Sequence, residues 1–243
     1  MALLLGGTAV VACSSDAVPP TPPPSLGIVQ NRTVPDITLV DQHGTATPLA
    51  AFRGRTVLLA PIWTLSGDTS QLTTANLLEV QHAVDRAGMG NRVAVVEYSV
   101  DPGRDTPARL TAYASRTGAT WTLLTGTPSA VSALDSFLYV QAAQVAEGDP
   151  PRTDWLTGAP LTYEVDPSDG YVVIDPSGRL RFATAAEPAV PGHAVPAGIG
   201  RLLDDQGLED LNDPSIEGQT WTVAQVLSVV GWVTGRSIPL PAG

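Results

Sequence analysis

Short apolar runs alternate with segments of helical period through the middle of this chain, and that alternation restricts its fold more than any other feature. Residues 56–62 (TVLLAPI) form a continuous apolar run of the kind a parallel strand shows when both its faces are covered. Residues 74–87 then place Leu77, Leu78, Val80, Ala83 and Val84 mainly on one helical face, and Gly88 supplies a stop. A second buried strand is predicted at 93–100. A second helix follows at 106–117, with Pro107 at a tolerated early position and Gly118 past the end. Residues 121–124 and 128–136 give a third pair. Strand and helix in succession predict an α/β layer fold rather than a sandwich or a bundle.

The flanks read as hairpins. DITLVD and TATPLAAF surround Gln42-His43-Gly44, a turn between two short strands. Residues 139–145 and 161–165 are expected to pair around the loop EGDPPRTDWLTGAP, and 171–175 with 179–182 around Pro176-Ser177-Gly178. No internal repeat is visible. Residues 220–233 carry Trp221, Val223, Val226, Leu227, Val230 and Trp232. This stretch is shorter than the roughly 20 residues that span a bilayer, so a docking helix is expected. The segment before it, from Asp204 to Glu217, holds six acidic residues and no basic one, and reads as an acidic solvated face rather than a calcium loop.

A chain of 243 residues, 43% of them hydrophobic, can bury one substantial core. Its 24 acidic residues against 13 basic ones, all arginine, give a formal charge of -11. That charge repels phosphate backbones, so nucleic acid is not an expected partner. The single cysteine, Cys13, excludes an intrachain disulfide, a dithiol redox pair and a cysteine-rich zinc site. It follows the apolar run LLLGGTAVVA, which is too short to span a membrane. Val10-Val11-Ala12-Cys13 resembles a bacterial lipobox, with residues 1–13 as the signal and Cys13 as the site of lipid attachment. Next, five prolines fall between Pro19 and Pro24. They favour extended polyproline II, and residues 14–34 are expected to be a stiff tether between a membrane anchor and the globular part.

The segment PIWTLSGDTSQLTTANL, from Pro61 to Leu77, has the form of a thiol or metal site without its thiols. Together with TVLLAPIWT before it and SVDPGRDTP at 99–107 after it, it resembles the Sco/SenC family of thioredoxin-like copper chaperones for cytochrome oxidase. The resemblance runs over residues 35–211, leaving 212–243 as a C-terminal extension. It implies a thioredoxin-like fold, a central mixed sheet flanked by helices with extra β-hairpins and a C-terminal helical extension. In the family, two cysteines on this loop and a later histidine bind copper. Here Ser66 and Ser70 take the cysteine places, and Pro167 takes that of the histidine. A neutral hydroxyl is a poor ligand for Cu(I), which prefers thiolate and imidazole, and proline offers no side-chain donor.

The remaining nitrogen and sulfur donors, His43, His82, His193, Met1 and Met89, show no ligand spacing, so no metal site and no cofactor are expected. Thiol catalysis has no nucleophile. Serine hydrolysis lacks the G-x-S-x-G elbow, and Ser70 or Thr73 instead suits the N-cap of the following helix, with Asp68 near its positive end. Asp105 or Thr106 is expected to cap the helix at 106–117, and Arg104 to pair with a loop carboxylate. The expectation is therefore no enzyme, but an exported, lipid-anchored binding or scaffold protein on the outer face of the cell membrane. The resemblance implies that its partner is a respiratory oxidase subunit or a Sco-like paralogue. The alternatives are a metallochaperone with a non-standard copper site and a small-molecule-binding lipoprotein unrelated to respiration.

Overall fold

A computed structural model describes residues 27–167, 169–190, 195–212 and 220–240. The expected N-terminal signal, Cys13, the prolines between Pro19 and Pro24 of the expected tether and His193 lie outside the described residues. The chain begins with β1 (Gly27–Thr33), β2 (Thr38–Asp41) and β3 (Ala46–Pro48). It continues through β4 (Thr56–Ile62), α1 (Thr69–Arg86), β5 (Val93–Ser99), α2 (Pro107–Thr117), β6 (Thr122–Thr125) and α3 (Pro128–Leu138). Then come β7 (Ala142–Val145), β8 (Glu164–Pro167), β9 (Tyr171–Ile174), β10 (Arg179–Thr184) and β11 (Glu187–Pro188). The last elements are α4 (Ala197–Gly200), α5 (Asp205–Asn212), β12 (Thr220–Trp221) and α6 (Val223–Thr234).

Eight strands make one mixed sheet in the order β1-β10-β9-β4-β5-β6-β2-β3. Its centre, β4, β5 and β6, is parallel, as the continuous apolar runs predict. Antiparallel strands complete both sides. Alternate residues of β4 feed two cores. Leu58, Ala60 and Ile62 face α1, α2 and α6, while Val57, Leu59 and the following Trp63 face α3. The two remaining predicted hairpins form as β2–β3 and β9–β10, and β7 pairs with β8 in a separate ribbon with Ala142 opposite Pro167.

Two boundaries differ from the sequence reading, while the helix expected near the C-terminus docks as α6. Residues 27–33, expected within the tether, form the edge strand β1 against β10. Its partner lies about 150 residues away, so nothing local announces the pairing; a Cβ at Gly27 would lie 2.0 Å from the Phe182 ring, so a larger residue there would have to displace that ring. The C-terminal segment contributes to the main core, because Val226, Leu227, Val229 and Val230 of α6 are buried with Trp221 among α1 and the sheet. Helix α1 starts five residues earlier than predicted, and its cap is Asp68, whose carboxylate accepts the Thr69 amide at 2.6 Å, not Ser70 or Thr73. The first turn is Thr-Ser-Gln, a polar sequence that gives no helical period.

Among the described residues no helix is long and apolar enough to cross a membrane.

Candidate functional site

The loop between β4 and α1 is held from below by hydroxyls, amides and buried carboxyl groups. Ser70 and Ser66 are both buried. The Ser70 hydroxyl oxygen accepts the Trp63 amide at 3.1 Å. The Ser66 hydroxyl donates to Asp68 Oδ1 at 2.6 Å, and its oxygen accepts the Asp68 amide at 3.2 Å. These bonds close the loop onto the first turn of α1, so both hydroxyls are occupied by local structure. Among the described residues neither has an imidazole partner. His82 is exposed beside Glu79 at 3.7 Å, and His43 sits in the β2–β3 turn.

A second layer comes from the segment between β5 and α2. Asp105 is fully buried and accepts the hydroxyl and the amide of Thr64, the amide at 3.2 Å, and the Ser99 hydroxyl at 2.7 Å. Burial pushes its carboxyl up to about 6 against these hydrogen bonds. Thr106, not Asp105, caps α2 by accepting the Arg109 amide. Arg104 pairs with Asp101 at 2.5 Å, as expected of a loop carboxylate, and also lies 3.4 Å from the Tyr163 ring centroid.

The long loop between β7 and β8 covers this arrangement, and sequence reasoning did not find its role. Trp155 Nε1 donates to the Thr64 carbonyl at 2.8 Å. Arg109 holds Asp154 through two hydrogen bonds of 2.9 and 2.6 Å, in a pair whose side chains are about nine-tenths buried. The Arg109 guanidinium holds the Asp154 carboxyl well below the usual range. Arg152 gathers Glu147 at 2.8 Å, Glu164 at 3.1 Å and Asp204 at 3.4 Å, and its guanidinium lies 5.4 Å from the Trp63 ring. Asp204 also accepts the Gly207 amide of α5, so it is a structural joint rather than part of a freely solvated face.

At the start of α1 the surface opens into an acidic cavity of about 440 Å³, bordered by Asp68, Glu164, Asp166, Asp169, Glu187 and Asp210. Burial raises the Asp169 carboxyl to about 7, against a hydrogen bond from Thr69. That contact brings Asp169 against the first turn of α1. Among the described residues, no group of three His, Cys, Asp or Glu side chains is arranged to hold a metal ion. The donor set of Ser66, Ser70 and Pro167 does not fit Cu(I).

A parallel core flanked by helices on both faces, with antiparallel strands β9 and β10 added beyond β4, defines a thioredoxin-like protein. More narrowly, the sequence matches the SCO1/SenC family over residues 28–191, and the chain belongs to that family. Its fold resembles that of Bradyrhizobium japonicum ScoI with copper bound, at 23% identity and a TM-score of 0.52 over 69% of this chain and 96% of that one. It also resembles a SCO1/SenC family lipoprotein from Bacillus anthracis, at 17% identity and a TM-score of 0.52 over 72% and 95% of the two chains. Yeast Sco1 with copper bound matches at 17% identity and a TM-score of 0.51 over 77% and 98%. No individually curated protein matches the sequence.

Proposed function

We propose that this chain is an exported, lipid-anchored member of the SCO1/SenC family that does not carry copper at the family's position. It acts as a non-catalytic binding or scaffold protein in the assembly of cytochrome oxidase or its copper site. The observation that carries this reading is the occupation of the two hydroxyls: Ser66 and Ser70 are buried in bonds to Asp68 and Trp63. With Pro167 as the third position, no soft donor is offered to Cu(I). The docking face would be the acidic one around Asp68 and Asp166, which favours a partner with a basic surface.

The test is a Cu(I) and Cu(II) titration of the protein beside a Ser66→Cys, Ser70→Cys, Pro167→His variant. The expected result is that the native chain stays empty and the variant takes up copper. Stoichiometric copper on the native chain at submicromolar concentration would favour a non-standard site instead. Crosslinking in cells should recover an oxidase subunit or a Sco-like paralogue, and failure to do so counts against the scaffold role. For the anchor, Cys13→Ala should move the protein from the membrane fraction to the soluble one; unchanged fractionation would exclude lipidation at Cys13.

A further inference from the structure

Glu97 is a single carboxyl in the middle of β5, fully buried under α1 and α2. Trp121 Nε1 donates to its Oε2 at 2.8 Å, and its Oε1 lies 2.8 Å from the Thr74 hydroxyl. From Thr74 the contacts continue to the Tyr113 hydroxyl at 2.8 Å and from Tyr113 to Gln71 Oε1 at 2.8 Å. Gln71 in turn donates from Nε2 to the Ser66 carbonyl at 2.8 Å and to that of Thr64 at 3.4 Å. One unbroken chain of side chains therefore connects a core carboxyl to the loop that carries Ser66. We propose that this chain is a proton-dependent latch: Glu97 in its protonated form holds the Thr64–Ser66 loop closed through Thr74, Tyr113 and Gln71, and loss of the proton releases it.

The chain is limited by its supply of protons. Three oxygen-to-oxygen contacts, Glu97–Thr74, Thr74–Tyr113 and Tyr113–Gln71, each need one. With Glu97 protonated there are three: the carboxyl donates to Thr74, Thr74 to Tyr113, and Tyr113 to Gln71. With Glu97 ionised only two remain. If Thr74 turns to the carboxylate and Tyr113 to Thr74, Gln71 Oε1 loses its donor in the core. If Tyr113 keeps Gln71, the oxygens of Thr74 and Tyr113 face each other at 2.8 Å with no proton between them. The Ser70 carbonyl, 3.1 Å from the Thr74 hydroxyl, competes for the same proton and makes the shortage worse. The second arrangement presses two bare oxygens together in the core, so the chain relaxes to the first, in which Tyr113 turns to Thr74 and Gln71 is freed from its fixed orientation.

The surroundings place this change in a useful range. Burial raises Glu97 to about 7, against the hydrogen bonds from Thr74 and Trp121. None of the ion pairs among the described residues includes Glu97. Thr74 of α1 and the Trp121 indole before β6 bond it directly; Tyr113 of α2 is the titratable group next along the chain, itself neighboured by Asp105. Burial and the neighbouring Glu97 hold the Tyr113 phenol well above its ordinary value, so it does not give up its own proton to the chain. The latch is independent of whether the protein carries copper.

The experiment is an NMR titration of the full chain from about pH 5 to about pH 9, following the Gln71 side-chain amide and the Ser66 backbone amide. Both are expected to show one common inflection near neutrality. Hydrogen exchange of Ser66, corrected for its intrinsic dependence on pH, is expected to rise about fivefold above it, the worth of one net hydrogen bond. In Glu97→Gln the carboxamide donates to Thr74 and accepts from Trp121 at every pH, so the inflection is lost. Tyr113→Phe cuts the chain in the middle: the Glu97 carboxyl still titrates by its carbon signal, but Ser66 no longer follows. A native chain without the inflection, or an unchanged inflection in whichever variant folds, overturns the latch.

Discussion

The hydroxyl oxygen of Ser70 accepts the amide proton of Trp63 at 3.1 Å, tying the first turn of α1 back to the residue that ends β4. Both residues are buried, so no water replaces the bond. Ser70→Ala should therefore leave the Trp63 amide without a partner and cost about 1–3 kcal/mol, measured by urea denaturation. Ser70→Cys, whose sulfur is a weaker acceptor, should cost less than Ala. Equal stability of the native chain and Ser70→Ala would show that the hydroxyl does not hold the loop.

Asp154 and Arg109 join the covering loop to α2 through a buried two-bond pair. Removing the carboxylate in Asp154→Ala strands the guanidinium, and the expected cost is about 3–5 kcal/mol. Arg109→Lys, with Asp154 intact, should cost less, because an ammonium keeps one of the two bonds but cannot make both at once. Chemical denaturation of the two variants checks the order.

The buried carboxyl groups predict an unusual dependence of stability on pH. Glu97 is raised to about 7, Asp105 to about 6, Asp135 to about 6 and Asp169 to about 7. Each binds its proton more tightly folded than unfolded, so its contribution is full below the unfolded value and is lost as pH rises through the folded one. Glu97 alone accounts for about 3 kcal/mol between the two values. Asp154 and Asp175 are shifted the other way, by Arg109 and by the hydrogen bonds of the β9–β10 turn, and their contribution is lost on the acid side. The melting temperature is thus expected to peak near about pH 4 and to fall steadily up to about pH 8. A flat profile over that interval would contradict the burial argument.

Gly170 has φ +107°, and a Cβ there would lie 2.0 Å from the Thr184 carbonyl oxygen. Gly170→Ala should cost at least about 2 kcal/mol from backbone strain and the clash. It should also disturb Asp169 and the mouth of the acidic cavity. Thermal denaturation reads the first effect, and the amide shifts of α1's first turn read the second.

The parallel core was legible because its signals are local. Residues 56–62 and 93–100 are mostly apolar, and Pro107 and Gly118 mark the ends of α2 in their own neighbourhood. The polar opening of α1 was not legible, since Thr69, Ser70 and Gln71 are buried by contacts from other segments. Within the site, the motif pointed to Ser66 and Ser70, whereas Arg109, Asp154 and Arg152 carried no signal that distinguishes them from surface charges. Glu97 did carry one, a lone acid inside VAVVEYS, which reads as buried once that run is placed as a central strand.

The central alternation of strands and helices, the single cysteine and the absence of thiols in the site loop are written in the residues alone, because periodicity and residue chemistry are properties of short stretches. Folding adds that Gly27–Thr33 closes one edge of the sheet, that α6 completes the core, and that Glu97 reaches Ser66 through Thr74, Tyr113 and Gln71. Those relationships join residues tens to more than a hundred positions apart. They exist only once hydrophobic burial has brought the segments together and the enclosed polar groups have had to find partners among one another.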